Sequence, residues 1–356
     1  MENPFKYGVL VDNEFFTDRT NELKQVLMSL NSQNHLILIS PRRFGKSSLI
    51  AKAVRESGRP CISLNIQNML SVEDFASKLL RELFRHYPLE KIKHQMSHFR
   101  FIPTVSSNLV TNSIEVTFQP VVNSMVLLED AMDLIEKVST KDKKLIVVFD
   151  EFQEILNIRK GLDKQLRSIM QTQQNLNYIL LGSQESMMTE IFERKKSPFY
   201  HFGQLMRLAK IPRDDFRQYI SARLPIKEQD KMDSIVDKIL SFTCLHPYYT
   251  QQLSAQVWEM VSYDHLVDGV VKEAISKIVR THDLDFERLW LNFNRTDRSI
   301  MMSLSKGVNP LQNRQVATST SFSGIKRLMK AGYVIRVDDY EIEDPFFKEW
   351  IIRSCI

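Results

Sequence analysis

The sequence predicts an α/β protein: a mostly parallel β-sheet covered on both faces, then a helical region, then a small helix-and-hairpin terminus. Three observations predict it. Over about the first 200 residues, short apolar runs alternate with helix-periodic segments, the β-α-β-α order that builds parallel sheets. After Pro212 the pattern changes to helices alone. Glycine is scarce, 10 of 356 residues against a usual ~7%, which favours helix. Hydrophobic residues at 43% and charged residues at 26% are ordinary globular values and exclude disordered, collagenous and low-complexity scaffolds.

The elements follow in order. Thr17 or Asp18 caps a helix from Arg19 to Leu30, with Leu23, Val26, Leu27 and Leu30 at helical spacing. His35 to Ile39 is a continuous apolar run stopped by Ser40-Pro41, as expected of a strand buried on both faces. Lys46 to Glu56 is helix-periodic, Pro60 to Ile66 returns to a strand, and Leu145–Phe149 and Tyr178–Leu181 are further strands. Phe99–Ile102 and Ile114–Phe118 alternate in polarity and predict a hairpin inserted at the sheet's edge. Beyond Pro212, the segments Phe216–Leu224, Asp230–Phe242, Pro247–Val261 and Val267–Asn292 are helix-like. Ser299–Leu304, Ser321–Lys330, and then Gly332–Val337 paired with Tyr340–Glu343 read helix, helix, hairpin: a winged helix.

Cys61, Cys244 and Cys355 lie far apart, so no disulfide framework or CxxC zinc site is expected. That usage fits a reducing cytoplasm. Glu2 stands where a signal peptide needs a basic residue, and no apolar stretch approaches the ~20 residues of a membrane span. Net charge is +5, which permits an anionic partner without requiring one.

The most informative segment is Ser40-Pro41-Arg42-Arg43-Phe44-Gly45-Lys46-Ser47-Ser48. It matches the phosphate-binding pattern GxxxxGK[ST] except at its first position, where Ser40 replaces glycine. A strand runs in and a helix runs out, so successive backbone N–H groups and a helix N-terminus face one point. Gly45 allows close approach, Lys46 reaches the β- and γ-phosphates, and Ser47 offers a hydroxyl to Mg²⁺. The strand Leu145–Phe149 ends in Asp150-Glu151. Asp150 is placed to join the Mg²⁺ shell and Glu151 to accept a proton from the attacking water. The adjacent Glu favours ATP. No guanine-reading NKxD is present, since Thr140-Lys141-Asp142 lacks its spacing. Ser183, in Gly182-Ser183-Gln184 after a third strand, is a candidate sensor of hydrolysis or part of an ordinary turn.

Asn3-Pro4-Phe5, Phe16-Thr17-Asp18-Arg19-Thr20-Asn21-Glu22-Leu23, the loop, Phe149-Asp150-Glu151-Phe152-Gln153 and Gly182-Ser183-Gln184-Glu185-Ser186-Met187-Met188 occur in that order. Together they resemble the archaeal-type ATPase family, a prokaryotic branch of the STAND group of P-loop ATPases related to AAA+ initiators. The resemblance spans roughly residues 3 to 260. It implies a five-stranded parallel P-loop core, an AAA+-like helical lid and a winged helix. The expected division is therefore 1–211 for the P-loop ATPase core, 212–292 for the lid and 293–356 for the winged helix. Arg19 and Glu22 match the family's Arg-x-x-Glu element, which braces the loop. His246-Pro247 matches its Gly-His-Pro lid signature, with Leu245 where glycine is usual. Tyr200-His201-Phe202 stands where Tyr-Gly-Arg is expected, so an arginine is missing. Arg167 or Arg207 could supply that charge, although for Arg167 a solvated helix face is the better reading. These departures predict slow hydrolysis more than impaired binding.

From Lys306 to Val337 there are six basic residues (Lys306, Arg314, Lys326, Arg327, Lys330, Arg336) and no acidic one. A winged helix so charged is a candidate reader of double-stranded DNA. Its use as part of the switch or as a platform for a protein partner is about equally expected. Two functions follow: an ATP-driven switch with slow hydrolysis, or a largely non-hydrolysing nucleotide-dependent scaffold. Glu151 favours the first.

Overall fold

The computed structural model describes residues 2–9, 19–32, 34–87, 92–98, 103–108, 113–118, 123–141, 143–265, 267–312, 318–337 and 339–356. The proposed caps Thr17 and Asp18, the first predicted hairpin strand Phe99–Ile102, and Arg314 lie outside them. The chain gathers into two compact units, one of Asn21–Ser40 and Leu49–Leu208, the other of Met1–Thr20, Pro41–Ser48 and Ala209–Ile356. Among the described residues no helix is long and apolar enough to cross a membrane.

The first unit carries the sheet. Its elements are α1 (Thr20–Asn31), β1 (Leu36–Ile39), α2 (Lys46–Ser57), β2 (Cys61–Asn65), α3 (Val72–His86), β3 (Pro103–Asn108), β4 (Ser113–Phe118), α4 (Ser124–Val138) and β5 (Leu145–Asp150). Then come α5 (Ile155–Ile158), α6 (Leu162–Thr172), β6 (Leu176–Gly182), α7 (Glu185–Phe192) and β7 (Gln204–Arg207). Five strands pair in the order β2-β5-β6-β1-β7, and every pairing is parallel. All residues of β1 and β6 are buried, so their unbroken apolar runs reflect a sheet covered on both faces.

Two expectations are corrected here. The hairpin is present as β3 and β4, with Pro103 opposite Phe118, but it forms its own two-stranded sheet and does not extend the parallel one. The edge is instead β7, which no apolar run announces. Only Met206 of its four residues is buried, because an edge strand beside solvent needs little hydrophobic side chain.

Just before β1, His35 is packed flat against Phe202 with ring centroids 4.5 Å apart, and its Nδ1 accepts the Tyr178 N–H at 3.2 Å. Burial lowers its pKa to about 4, helped by the positive charges of Arg167 and Lys144. The ordinary value is about 6.5, so between pH 6.5 and 4 the unfolded chain binds more protons and stability falls as pH falls. A His35→Gln variant should therefore lose about 2 kcal/mol less than wild type between pH 7 and 5. Urea unfolding of both proteins at the two pH values checks this. A pH-independent difference between them would contradict it.

The second unit is mainly helical: α8 (Arg213–Ser221), α9 (Gln229–Thr243), α10 (Pro247–Tyr263), α11 (Val270–Thr281), α12 (Asp283–Asn292), α13 (Arg295–Ser305), α14 (Thr318–Ala331) and α15 (Pro345–Cys355). Between α14 and α15 an antiparallel hairpin pairs β8 (Val334–Arg336) with β9 (Tyr340–Ile342). The predicted single helix over Val267–Asn292 is two helices broken at His282. A final helix follows the hairpin, and its start signals are present in the sequence. Pro345 occupies the first turn and Asp344 Oδ1 accepts the N–H groups of Phe346 (2.8 Å) and Phe347 (3.2 Å). Residues 212–292 and 293–356 contribute to one hydrophobic core, in which Phe216, Leu253 and Met301 are buried beside Phe346 and Ile351.

Candidate active site

The loop leaves β1 at Ser40, whose N–H donates to Gly182 O at 3.3 Å and so continues the ladder to β6. Ser40 is fully buried and takes no left-handed backbone, which explains why glycine is dispensable there. Further along, Arg43 (φ 62°) and Gly45 (φ 88°) do turn left-handed. Residues turned this way aim successive N–H groups into one concavity that suits an anion, and α2 starts at the next residue, Lys46.

Lys46 is only 6% exposed, and its ammonium donates to Pro41 O at 3.1 Å. Phe44 is buried, whereas Arg42, Arg43, Gly45 and Ser47 are exposed. Ser48 is buried at the next turn of α2. Arg19, buried ahead of α1, donates to Phe44 O at 3.3 Å and so lies against the loop. Glu22 occupies the first turn of α1, in the sheet unit.

His246 is the N-cap of α10 and Pro247 its first residue. His246 is nearly fully buried and meets the Phe44 ring edge-on with centroids 4.9 Å apart. Burial depresses its pKa, the nearby Glu343 carboxylate notwithstanding. Leu245, where the family pattern has glycine, is left-handed at φ 60°. That conformation is the physical reason for glycine at the position, since a side chain there costs about 1–2 kcal/mol.

In the sheet unit, β5 ends at Asp150, whose Oδ1 accepts the N–H of Glu151 at 2.9 Å. Glu151 is itself left-handed, which turns its side chain sharply off the strand end. Three donors converge on its Oε2: Ser183 Oγ at 2.7 Å, Gln153 Nε2 at 2.5 Å and the Ser183 N–H at 3.4 Å. The structure thus brings Glu151 and Ser183 together and adds Gln153, which sequence reasoning quoted in a motif but gave no role. Close approach at this point also requires a glycine. A Cβ on Gly182 would lie 2.7 Å from Gln153 Oε1 and 2.3 Å from Met188 Sδ.

The two candidate arginines separate. Arg167 lies with its guanidinium 5.0 Å over the Phe202 ring and donates to Gln171 at 2.9 Å. Phe202 is stacked on His35, ahead of the amino end of β1, so Arg167 is at the end of the sheet opposite Glu151. Arg207 is at the carboxyl end of β7, opposite Ile39 of β1, and is ion-paired with Glu193.

Over its whole length the fold resembles the Walker-type ATPase PABY2304 of Pyrococcus abyssi, at 17% identity and a TM-score of 0.66, covering 98% of this chain and 99% of that one. It also resembles the Aeropyrum pernix ORC2 protein in ADPNP–ADP complexes, at 14% identity and a TM-score of 0.57, with 98% of each chain covered. At these identities the likeness is one of fold. No curated protein sequence matches. A family described as an ATPase domain predominantly from Archaea matches residues 16–239. With a parallel sheet, a phosphate-loop pattern and a paired carboxylate terminus in the matched span, this chain belongs to that family of P-loop ATPases.

Proposed function

We propose that the protein binds Mg·ATP and hydrolyses it slowly, as a nucleotide-dependent switch of the STAND type. The carrying observation is the Glu151 carboxylate held at the end of β5 by Ser183 and Gln153. A largely non-hydrolysing scaffold has no use for a carboxylate so fixed. The loop amides of residues 41–48 and the Lys46 ammonium take the phosphates. Ser47 and Asp150 would hold Mg²⁺, which would supply charge neutralisation on the phosphate oxygens. No cluster of three or more His, Cys, Asp or Glu fit for a metal exists among the described residues. Mg²⁺ on phosphates keeps several waters and needs one or two carboxylates.

Glu151 accepts the proton of the attacking water, and Ser183 orients it. The missing arginine at Tyr200-His201-Phe202 supports a slow rate. Residues 212–292 serve as the lid, with His246-Pro247 toward the nucleotide, and 293–356 as a winged helix that reports the bound state. Three unpaired cysteines support a cytoplasmic location. Calorimetric titration with Mg·ATP, followed by phosphate release from the saturated protein, tests the reading. Absence of binding overturns it.

The partner we favour for the winged helix is double-stranded DNA. Lys326 and Lys330 are exposed on α14, which contains no acidic residue. Arg327 belongs elsewhere, because it forms a two-point pair with the buried Asp297 at 2.6 and 3.3 Å. Reversing Lys326 and Lys330 together should therefore remove most duplex affinity and lower the slope of log K against log salt by about 1.8, or 0.9 per phosphate contact. Mobility shifts at low and moderate salt check this. No duplex binding by wild type at low salt assigns α14 to a protein partner instead.

A further inference from the structure

Arg43 occupies one of the variable positions of the loop, where a basic side chain invites assignment as a phosphate ligand. Its contacts point elsewhere. The guanidinium Nη1 donates to Tyr249 Oη at 2.9 Å and stands 4.7 Å over the Tyr248 ring. Tyr249 is almost wholly buried, and its hydroxyl donates onward to Glu343 Oε2 at 2.7 Å. Glu343 follows β9, and its N–H donates to Tyr333 O at 3.0 Å, closing the hairpin of β8 and β9. A second line starts one residue along the loop. Phe44 packs on His246, and His246 Nε2 lies 3.5 Å from the other oxygen of Glu343. Adjacent loop residues therefore reach one carboxylate by two routes, all within the second unit.

We infer that Arg43 is a positioning residue that couples the nucleotide loop to the C-terminal hairpin through Tyr249 and Glu343. The inference rests on the nucleotide reading of the loop. Its physical basis is commitment of the side chain. A guanidinium stacked on one tyrosine and bonded to a second is anchored on α10, so turning it toward a phosphate would disturb those contacts. Its backbone, left-handed at φ 62°, remains part of the anion concavity. Any movement of that backbone on phosphate binding pulls on the Arg43 side chain. The Tyr249 hydroxyl and the largely buried Glu343, 12% exposed at its side chain, pass the displacement to the hairpin. Left without Tyr249, Glu343 would be a poorly hydrated charge short of a donor, so their bond resists breaking and carries the displacement. Coupling is reciprocal: a partner that fixes the hairpin shifts nucleotide affinity by the factor with which nucleotide shifts the hairpin.

The test is amide hydrogen exchange across Val334–Arg336 and Tyr340–Ile342, with and without saturating Mg·ADP or the non-hydrolysable Mg·ADPNP, in the full chain. Wild type should change its exchange rate in the hairpin about tenfold on binding, a typical coupling factor. Tyr249→Phe keeps the buried ring and removes only the bridging hydroxyl. It should still bind nucleotide, yet its hairpin response should fall below about twofold. Glu343→Gln, which removes the shared charge, should shrink the response as well and covers the case in which Tyr249→Phe folds poorly. The readout is the nucleotide-dependent change, which a merely structural role would leave intact. A full response in either folded variant, or none in nucleotide-saturated wild type, overturns the relay alone. Failure of wild type to bind nucleotide in the calorimetric control overturns the reading of the loop, and the relay with it.

Discussion

Replacing Lys46 with alanine is expected to weaken ATP binding at least about a hundredfold, the largest single effect on affinity available in this chain. Lys46 is 6% exposed and its ammonium is tied to Pro41 O, so it meets a phosphate in a poorly hydrated setting. Removing one partner of such a charge pair costs about 3–5 kcal/mol, because the other is left buried and unpaired. Arg43 is a poor substitute, since its guanidinium is engaged by Tyr248 and Tyr249. Titration calorimetry with wild type as reference decides the matter. Unchanged affinity would mean that the loop does not hold phosphate.

The second large effect is on rate. Glu151→Gln should leave ATP binding near its wild-type value and lower hydrolysis by about 10²–10⁴, the usual contribution of a positioned base. The amide is isosteric and can still accept from Ser183, so the turn after β5 is preserved. What it cannot do is take a proton. Single-turnover phosphate release measures the loss. Turnover at the wild-type rate would reduce Glu151 to a structural acceptor for Ser183 and Gln153 and favour the scaffold reading.

Much of this was legible along the chain because its chemistry is local. Ser40 to Ser48 are consecutive, and Asp150-Glu151 end an apolar run. In both, the residue types and the strand beside them are enough to name a role. The central strands β1, β5 and β6 were legible for a related reason, since strands buried on both faces must be apolar throughout. β7 was not, because an edge strand is selected by backbone pairing with β1 and leaves little trace in side-chain hydrophobicity. The start of α15 carried Asp344-Pro345, a start signal read only as the tail of a hairpin.

By itself, then, the sequence determined the class of fold, the order of its central strands along the chain, and the loop and carboxylates from which its chemistry is built. These are properties of neighbours in the chain, set by periodicity and covalent spacing. Only the tertiary structure decided which distant groups meet. Ser183 is 32 residues from Glu151 and bonds its carboxylate. Tyr249 is 206 residues from Arg43 and 94 from Glu343 and joins the two. Arg167, a weaker candidate in the sequence, lies at the end of the sheet opposite Glu151. A hydrogen bond depends on a few tenths of an ångström and an angle, and no linear pattern of residue types encodes either.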